Sequence, residues 1–362
     1  MTIAVQLSAP ETTNDTGAVF NQRCFSKLAE LHPAVRFIFI FNQEPKAGFE
    51  NLPNITVVVL GPVVKNNLIQ HYWYHFKLSR LLNRQNVSLF ISSTFTCSLK
   101  TKIPQCIWLN DTALFSTNGN NQTKKWLSRY IAKADSIITI NPDIQAAVEK
   151  KYSNASGKLI SLQFPSDENI AHLSYQQKEA IKTEYAGGQE YFLFDGTHAS
   201  TSQTITVLKA FSLFKKWQKS AMKLLLLAPD ESKKKLEQSL RTYKFREDVS
   251  LLTAAQPAAL YGSAYAIMFF PNKSYIPFSI ADTSAFGVPL ILPNDSFYKA
   301  VFEQSALYTE STETAISQVM MQLYKDENLR NHLIGLCRQL AVNHSIDNVA
   351  GKLWQSLLPD RV

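Results

Sequence analysis

Side chains able to do chemistry are thinly spread along this chain. His71 and His75 stand four residues apart, which places two imidazoles on one helical face as in a metal pair, yet no Asp or Glu adjoins them to complete a site. Cys24, Cys97, Cys106 and Cys337 are scattered without a close pair, the pattern of structural thiols in a reducing compartment. The chain has no Gly-x-Gly-x-x-Gly, no Walker lysine loop and no Asp-x-Asp, so nothing in its pattern calls for a cofactor or a metal. More promising are polar residues placed directly after apolar runs. Asp195-Gly196-Thr197-His198 follows the run over 191–194, Asn110-Asp111 follows 105–109, and a loop from Pro271 to Asp282 follows 266–270. In a parallel sheet, loops that leave strand ends are where ligands bind.

The elements that must hold these loops alternate in period. Near-continuous apolar runs at 3–7, 37–41, 55–60, 87–91, 105–109, 191–194, 222–228, 249–252, 266–270 and 288–292 predict strands covered on both faces. Segments with apolar residues three or four apart predict helices between them: 18–31, 70–83, 142–152, one with its apolar stripe from Val207 to Trp217, 232–243, 315–324, 326–333 and 349–358. Pro142 falls at a first helical turn. Residues 163–189 are polar, contain Gly187-Gly188, and read as a connection between two domains. Strand and helix alternate on both sides of that connection, so two doubly wound α/β domains are expected.

With 362 residues the chain is long enough for two such domains. Hydrophobic residues make up 45% and charged residues 18%, which excludes a disordered chain. No apolar run approaches the ~18 residues of a membrane helix, and the Met1-Thr-Ile-Ala-Val start lacks the form of a signal peptide. A cytoplasmic protein is the expectation. The 37 Lys and Arg against 29 Asp and Glu leave +8, a surplus that suits anionic lipid headgroups, phosphorylated sugars or nucleic acid. Because the basic residues sit in twos and threes, as at Lys233-Lys234-Lys235, solvated helix faces account for them, and no nucleic-acid partner is expected.

The stretch around 271–293 carries a resemblance. Ala285-Phe-Gly287-Val-Pro289 resembles the tail of the nucleotide-sugar loop of family 4 glycosyltransferases, Glu-Gly-Phe-Gly-(Leu/Ile)-Pro…Glu-Ala-Met-Ala-Cys-Gly-Val-Pro. Leu99-Lys-Thr-Lys-Ile-Pro104 with the strand ending at Asn110-Asp111, Ala134-Asp-Ser-Ile-Ile-Thr-Ile-Asn141, and 257–267 are similar to further family segments. The resemblance implies the GT-B architecture: two doubly wound Rossmann-like domains with parallel sheets facing a central cleft. The implied division is an acceptor-side domain over 1–168, a nucleotide-sugar domain over 169–345, and a last helix over 346–362 that crosses back to the first.

The resemblance further implies retaining transfer of a sugar from a nucleotide-diphosphate donor to a hydroxyl of a saccharide or lipid-linked acceptor, without a metal, and leaves peripheral membrane contact open. Carried over by position, the catalytic places are Asn110, Asp111 and Ser274. Those facing the donor are Gly17, Gly196, Thr197, Ser202, Tyr275, Ile276, Pro277, Phe278 and Asp282. The chain departs from the family where charge is needed: Asn110 replaces a His, Ser202 a Lys, Thr197 often an Arg, and Ser274 a Glu. Asp282 keeps a carboxylate at the place that holds a ribose diol, and capping the helix it opens is an equal reason for an Asp there. Gly17 is as consistent with an ordinary βα loop, and Gly287 with a helix stop. Lys273 and His198 are candidates to approach phosphate, and the amides of Gly196 and of 275–278 could help. The alternative expectation is a catalytically inactive homologue that acts as partner, regulator or carbohydrate binder.

Overall fold

The apolar runs become the strands of two separate parallel sheets in the computed structural model, which describes residues 1–7, 16–45, 52–61, 69, 72–110, 112–115, 121–155, 157–165, 173–253, 258–272 and 276–358. The chain forms two units, Met1–Phe164 with Ile346–Val362, and Pro165–Ser345. The first carries β1 (Thr2–Gln6), β2 (Arg36–Phe41), β3 (Ile55–Val59), β4 (Leu89–Ser92), β5 (Gln105–Trp108), β6 (Ser136–Thr139) and β7 (Leu159–Ser161). Their order is β3-β2-β1-β4-β5-β6-β7, with every neighbouring pair parallel. In the second unit β8 (Tyr191–Asp195), β9 (Lys223–Ala228), β10 (Val249–Thr253), β11 (Ala266–Met268), β12 (Leu290–Pro293) and β13 (Ala306–Thr309) follow the order β10-β9-β8-β11-β12-β13, again all parallel.

Both orders reverse direction beside their first strand, the arrangement of doubly wound nucleotide-binding folds. The central strands are buried from end to end: every residue of β8, and all of β2 beyond Arg36. That is why they read as unbroken apolar runs and not as alternating ones. In the second unit Phe192, Phe194, Leu224 and Leu226 pack under Val207, Phe211 and Phe214 of the helix Thr201–Gln218.

The expected helix over 70–83 is only partly regular. Gln70 and His71 lie outside the described residues, and Trp73–Leu78 is a π-helical turn that continues as an α-helix over Ser79–Arg84. The Ser79 hydroxyl donates to the Tyr74 carbonyl five residues back, matching the wider turn. His75 is buried there, and its Nδ1 accepts the Leu99 amide at 3.2 Å. This role is structural.

The polar connection over 163–189 contains a helix, Tyr175–Ala186. A Ser174–Gln177 capping box starts this helix, and Gly187 at φ +62° stops it. It carries few apolar residues, so local capping replaces the apolar periodicity that would have revealed it. At the far end of the chain the helix Ile346–Leu357 belongs to the first unit. Its Asp347 pairs with Lys27 at 2.8 Å, its Trp354 stacks on His32 with centroids 3.5 Å apart, and its Lys352 donates to Gln163. Among the described residues no helix is long and apolar enough to cross a membrane. All four cysteines are buried and free, and burial raises each thiol, Cys24 to about 12.

One ionic cluster ties the second unit together. Lys215, 6% exposed, pairs with Asp248 at 2.9 Å and donates to the Met222 carbonyl, while Lys223 reaches the same carboxylate at 2.8 Å. Burial works against the charge of Asp248, but hydrogen bonds from Lys223 and Lys215 outweigh it and hold the carboxyl below its ordinary range. A folded-state pKa below the unfolded one means that this stabilisation is complete above the unfolded value of about 4 and is lost as pH falls through the folded value. Asp248→Ala is therefore expected to lower unfolding free energy near neutrality by on the order of 2 kcal/mol. Urea titrations of both proteins should show that gap narrowing as the pH is taken from about 6 toward about 2.

Candidate functional site

Where the sheet order reverses in the second unit, the loops leaving β8 and β11 come together. β8 ends on Asp195, whose carboxylate is 1% exposed. Its Oδ1 accepts the Thr197 amide at 3.1 Å and the Thr197 hydroxyl at 2.6 Å, and its Oδ2 accepts the Tyr261 hydroxyl at 2.9 Å. A buried carboxylate needs such donors to remain charged. Burial, then the charge of Asp195, raises the Tyr261 phenol, so it keeps its proton and serves as a donor.

The Asp195–Thr197 bond turns the chain out of the sheet, and Gly196 allows the turn to lie flat on β9. Its amide donates to the Leu227 carbonyl at 3.0 Å, and a Cβ there would stand 2.7 Å from that oxygen and 2.9 Å from a Phe194 ring carbon. The amides of Gly196 and Thr197 are thus both occupied within the fold. Ser200 then caps the helix Thr201–Gln218 in a reciprocal box with Gln203. Asn272 donates its amide to the His198 carbonyl at 3.0 Å, and Gln203 Nε2 reaches the Pro271 carbonyl at 3.4 Å, joining the two loops. His198 and Ser202 are exposed, and no Lys or Arg occurs between Gly196 and Lys209.

The loop after β11 becomes two short helices, Phe278–Ala281 and Thr283–Phe286. Ile276 is buried and Pro277 half-buried; the Pro277 carbonyl accepts the amides of Ile280 and Ala281, each at 3.1 Å. Ser274 and Tyr275, like Lys273, lie outside the described residues. Asp282 does not cap: its backbone is already helical at φ −68° and ψ −17°, and its half-buried carboxylate makes no capping bond. A capping side chain needs extended backbone to turn back onto the first amides. Gly287, at φ +68°, closes the second helix in the left-handed conformation.

Three sequence candidates belong to the first unit. Asn110 follows β5, and its Oδ1 accepts the amide of Ile140 at 3.1 Å, bracing the end of β5 against that of β6. Asp111 beside it lies outside the described residues. Gly17 falls in the first turn of the helix Thr16–Leu31 that follows β1. Among the described residues no group of three His, Cys, Asp or Glu could hold a metal ion. Sequence reasoning missed Asp195 and Tyr261 as a pair. The available signal was a lone acid ending an apolar run, which reads as a turn former; its partner stands 66 residues away.

No protein-family model and no curated protein sequence matches this chain. Solved structures do match in fold. A glycosyltransferase from Rickettsia africae ESF-5 superposes with a TM-score of 0.75 at 12% identity, covering 99% of each chain. HepE of Anabaena, in complex with UDP-glucose, gives 0.70 at 12% identity over 99% of this chain and 100% of its own. Sucrose-phosphate synthase from Thermosynechococcus elongatus gives 0.70 at 12% identity over 99% of both. The chain therefore has the GT-B-like double Rossmann fold, two parallel-sheet α/β units of the kind these structures share.

The Asp195 cluster makes a separable forecast. Asp195→Ala leaves the Tyr261 hydroxyl and the Thr197 donors without their acceptor in a buried setting, at a cost of about 2–4 kcal/mol. Tyr261→Phe removes only one donor, at about 1 kcal/mol. Gly196→Ala, which forces a methyl against the Leu227 carbonyl, should also cost more than Tyr261→Phe. Chemical denaturation of the three variants beside wild type checks that order.

Proposed function

We propose that this chain is a glycosyltransferase-like protein of the family 4 kind with an altered donor loop. A sugar would pass from a nucleoside-diphosphate donor held by the second unit to a hydroxyl of a saccharide or lipid-linked acceptor, with retention at the anomeric carbon. The observation that carries this reading is the switch point of the second sheet, where the loops after β8 and β11 are joined by the Asn272–His198 bond in a fold that UDP-glucose-bound HepE shares over its full length. In the reaction the bond from anomeric carbon to diphosphate oxygen breaks, the diphosphate keeps the electron pair, and the acceptor oxygen gives its proton to the departing diphosphate as it bonds to carbon.

On this reading Asn110, Asp111 and Ser274 occupy the catalytic places. Gly17, Gly196, Thr197, Ser202, the 275–278 turn and Asp282 face the donor, Asp282 through the ribose. The acceptor-side domain, over 1–168 with the last helix over 346–362, takes the acceptor, and the nucleotide-sugar domain, over 169–345, takes the donor. The protein works in the cytoplasm and meets lipid-linked acceptors through a peripheral membrane contact. Each preorganised donor to the leaving group contributes about 10²–10³ in rate, so Ser at 202 and 274 makes this a slow enzyme.

A second reading, an inactive homologue that binds a partner or a carbohydrate, is favoured by one observation. The buried Asp195 charge lies directly before the loop that a diphosphate would approach, and no Lys or Arg stands between Gly196 and Lys209 to offset it. Isothermal titration with UDP, GDP and ADP, followed by turnover assays with the corresponding glucose donors, tests both. Saturable binding of one nucleotide with slow, configuration-retaining transfer is expected. If native protein binds none while a Ser202→Lys/Ser274→Glu variant gains at least about tenfold in affinity, worth about 1.4 kcal/mol, the second reading holds. Binding by neither protein sinks the donor assignment altogether.

A further inference from the structure

We propose that one face of the first unit is an interfacial docking surface for anionic lipid bilayers, built from the helical turn Trp73–Leu78, the helix Ser79–Arg84 and the segment around Lys100. From Asn51 to Asn110 the chain contains no Asp or Glu, while Lys65, Lys77, Arg80, Arg84, Lys100 and Lys102 all fall there. Most of the surplus positive charge of the whole protein is thus concentrated in one stretch.

The fold places Lys77, Arg80, Arg84 and Lys100 of that stretch beside exposed aromatics. Tyr72 is 51% exposed and Phe76 52%, and with Arg80 and Arg84 they recur every fourth residue along the solvent face. The opposite face is anchored in the core through Trp73, Tyr74, Leu78 and Leu82. Tyr72, Phe76, Arg80 and Arg84 line a groove of about 760 Å³ together with Leu60 and Leu81. The Ser79–Ser98 hydroxyl bond at 2.7 Å and the Leu99 amide on His75 hold the neighbouring segment, bringing Lys100 Nζ to 3.9 Å from the Phe76 ring centre. Among the described residues none of Arg80, Arg84, Lys100 and Lys102 has a carboxylate partner.

Apolar rings flanked by long basic side chains on a solvent-facing helix fit the headgroup boundary, where rings enter the acyl layer and cations reach phosphate. Nucleic acid fits less well. Tyr72 stacks on Phe76 with centroids 5.9 Å apart, and Lys100 covers the Phe76 ring, so that ring offers no clear face to a base.

The surface deepens the membrane contact proposed above. Its test contains no sugar donor, so its failure leaves the transfer reaction standing, and failed nucleotide binding leaves the surface standing. The full chain is sedimented with vesicles of phosphatidylcholine alone or of equimolar phosphatidylcholine and phosphatidylglycerol, at an ionic strength of about 0.1 M. It is expected to pellet with the anionic vesicles only. Arg80→Gln/Arg84→Gln should lower the partition coefficient roughly 10- to 30-fold. Tyr72→Ser/Phe76→Ser should lower it about tenfold or more. Both pairs are solvent-facing, and unchanged thermal unfolding confirms that the variants are folded. Equal pelleting with neutral vesicles, no pelleting at all, or unchanged pelleting of either variant overturns the proposal. So does displacement by inorganic phosphate at matched ionic strength, or tighter binding to duplex DNA than to anionic vesicles.

Discussion

A parallel sheet must be roofed on both faces, because the crossovers that join its strands necessarily lie above and below it. Much else in this chain follows from that constraint. It makes the central strands apolar throughout, sends polar residues to the strand ends, and leaves one place in each sheet where successive crossovers depart to opposite faces. In the second unit that place lies between β8 and β11, and the polar features of its loops gather there because the sheet interior admits none of them.

Asp195 is the exception that defines the place. It closes a strand whose other residues are Tyr191, Phe192, Leu193 and Phe194, and it is as buried as they are. Thr197 and Tyr261 keep its charge tolerable by donating to both oxygens. The arrangement has electrostatic as well as structural weight. A buried carboxylate beneath the β8 loop works against an anionic ligand, and the loop amides nearest to it are engaged with Asp195 and Leu227. A nucleoside diphosphate would have to be held chiefly by groups further along the loops.

Local signals were legible in the sequence and distant ones were not. The run Ala285-Phe-Gly287-Val-Pro289 announces a helix stop and a strand start because a left-handed glycine and a following proline act within a few residues, and the structure has both. Pro142 in its first helical turn is of the same kind. The helix Tyr175–Ala186 escaped because polar residues dominate it. β7 and β13 escaped because they are partly exposed strands at the sheet edges, without the unbroken apolar run that marks the buried ones. At the candidate site, Gly196 was legible as a turn, whereas the Leu227 carbonyl that requires it to be glycine lies on a neighbouring strand. Asp282 shows the opposite failure: its type suggested a cap, and only the backbone angles reveal that the chain was already helical there.

The return of the last helix to the first unit bears on how the molecule is made. The chain leaves that unit after Phe164 and re-enters it at Ile346, so a ribosome delivers the whole of Pro165–Ser345 before it delivers Asp347 for Lys27 or Trp354 for His32. The inserted unit is contiguous and has all its strands in hand once it emerges. The first unit has to wait with one flank of its helix Thr16–Leu31 uncovered until the residues after Ser345 have been made, so the inserted unit can be complete before the unit that surrounds it can close.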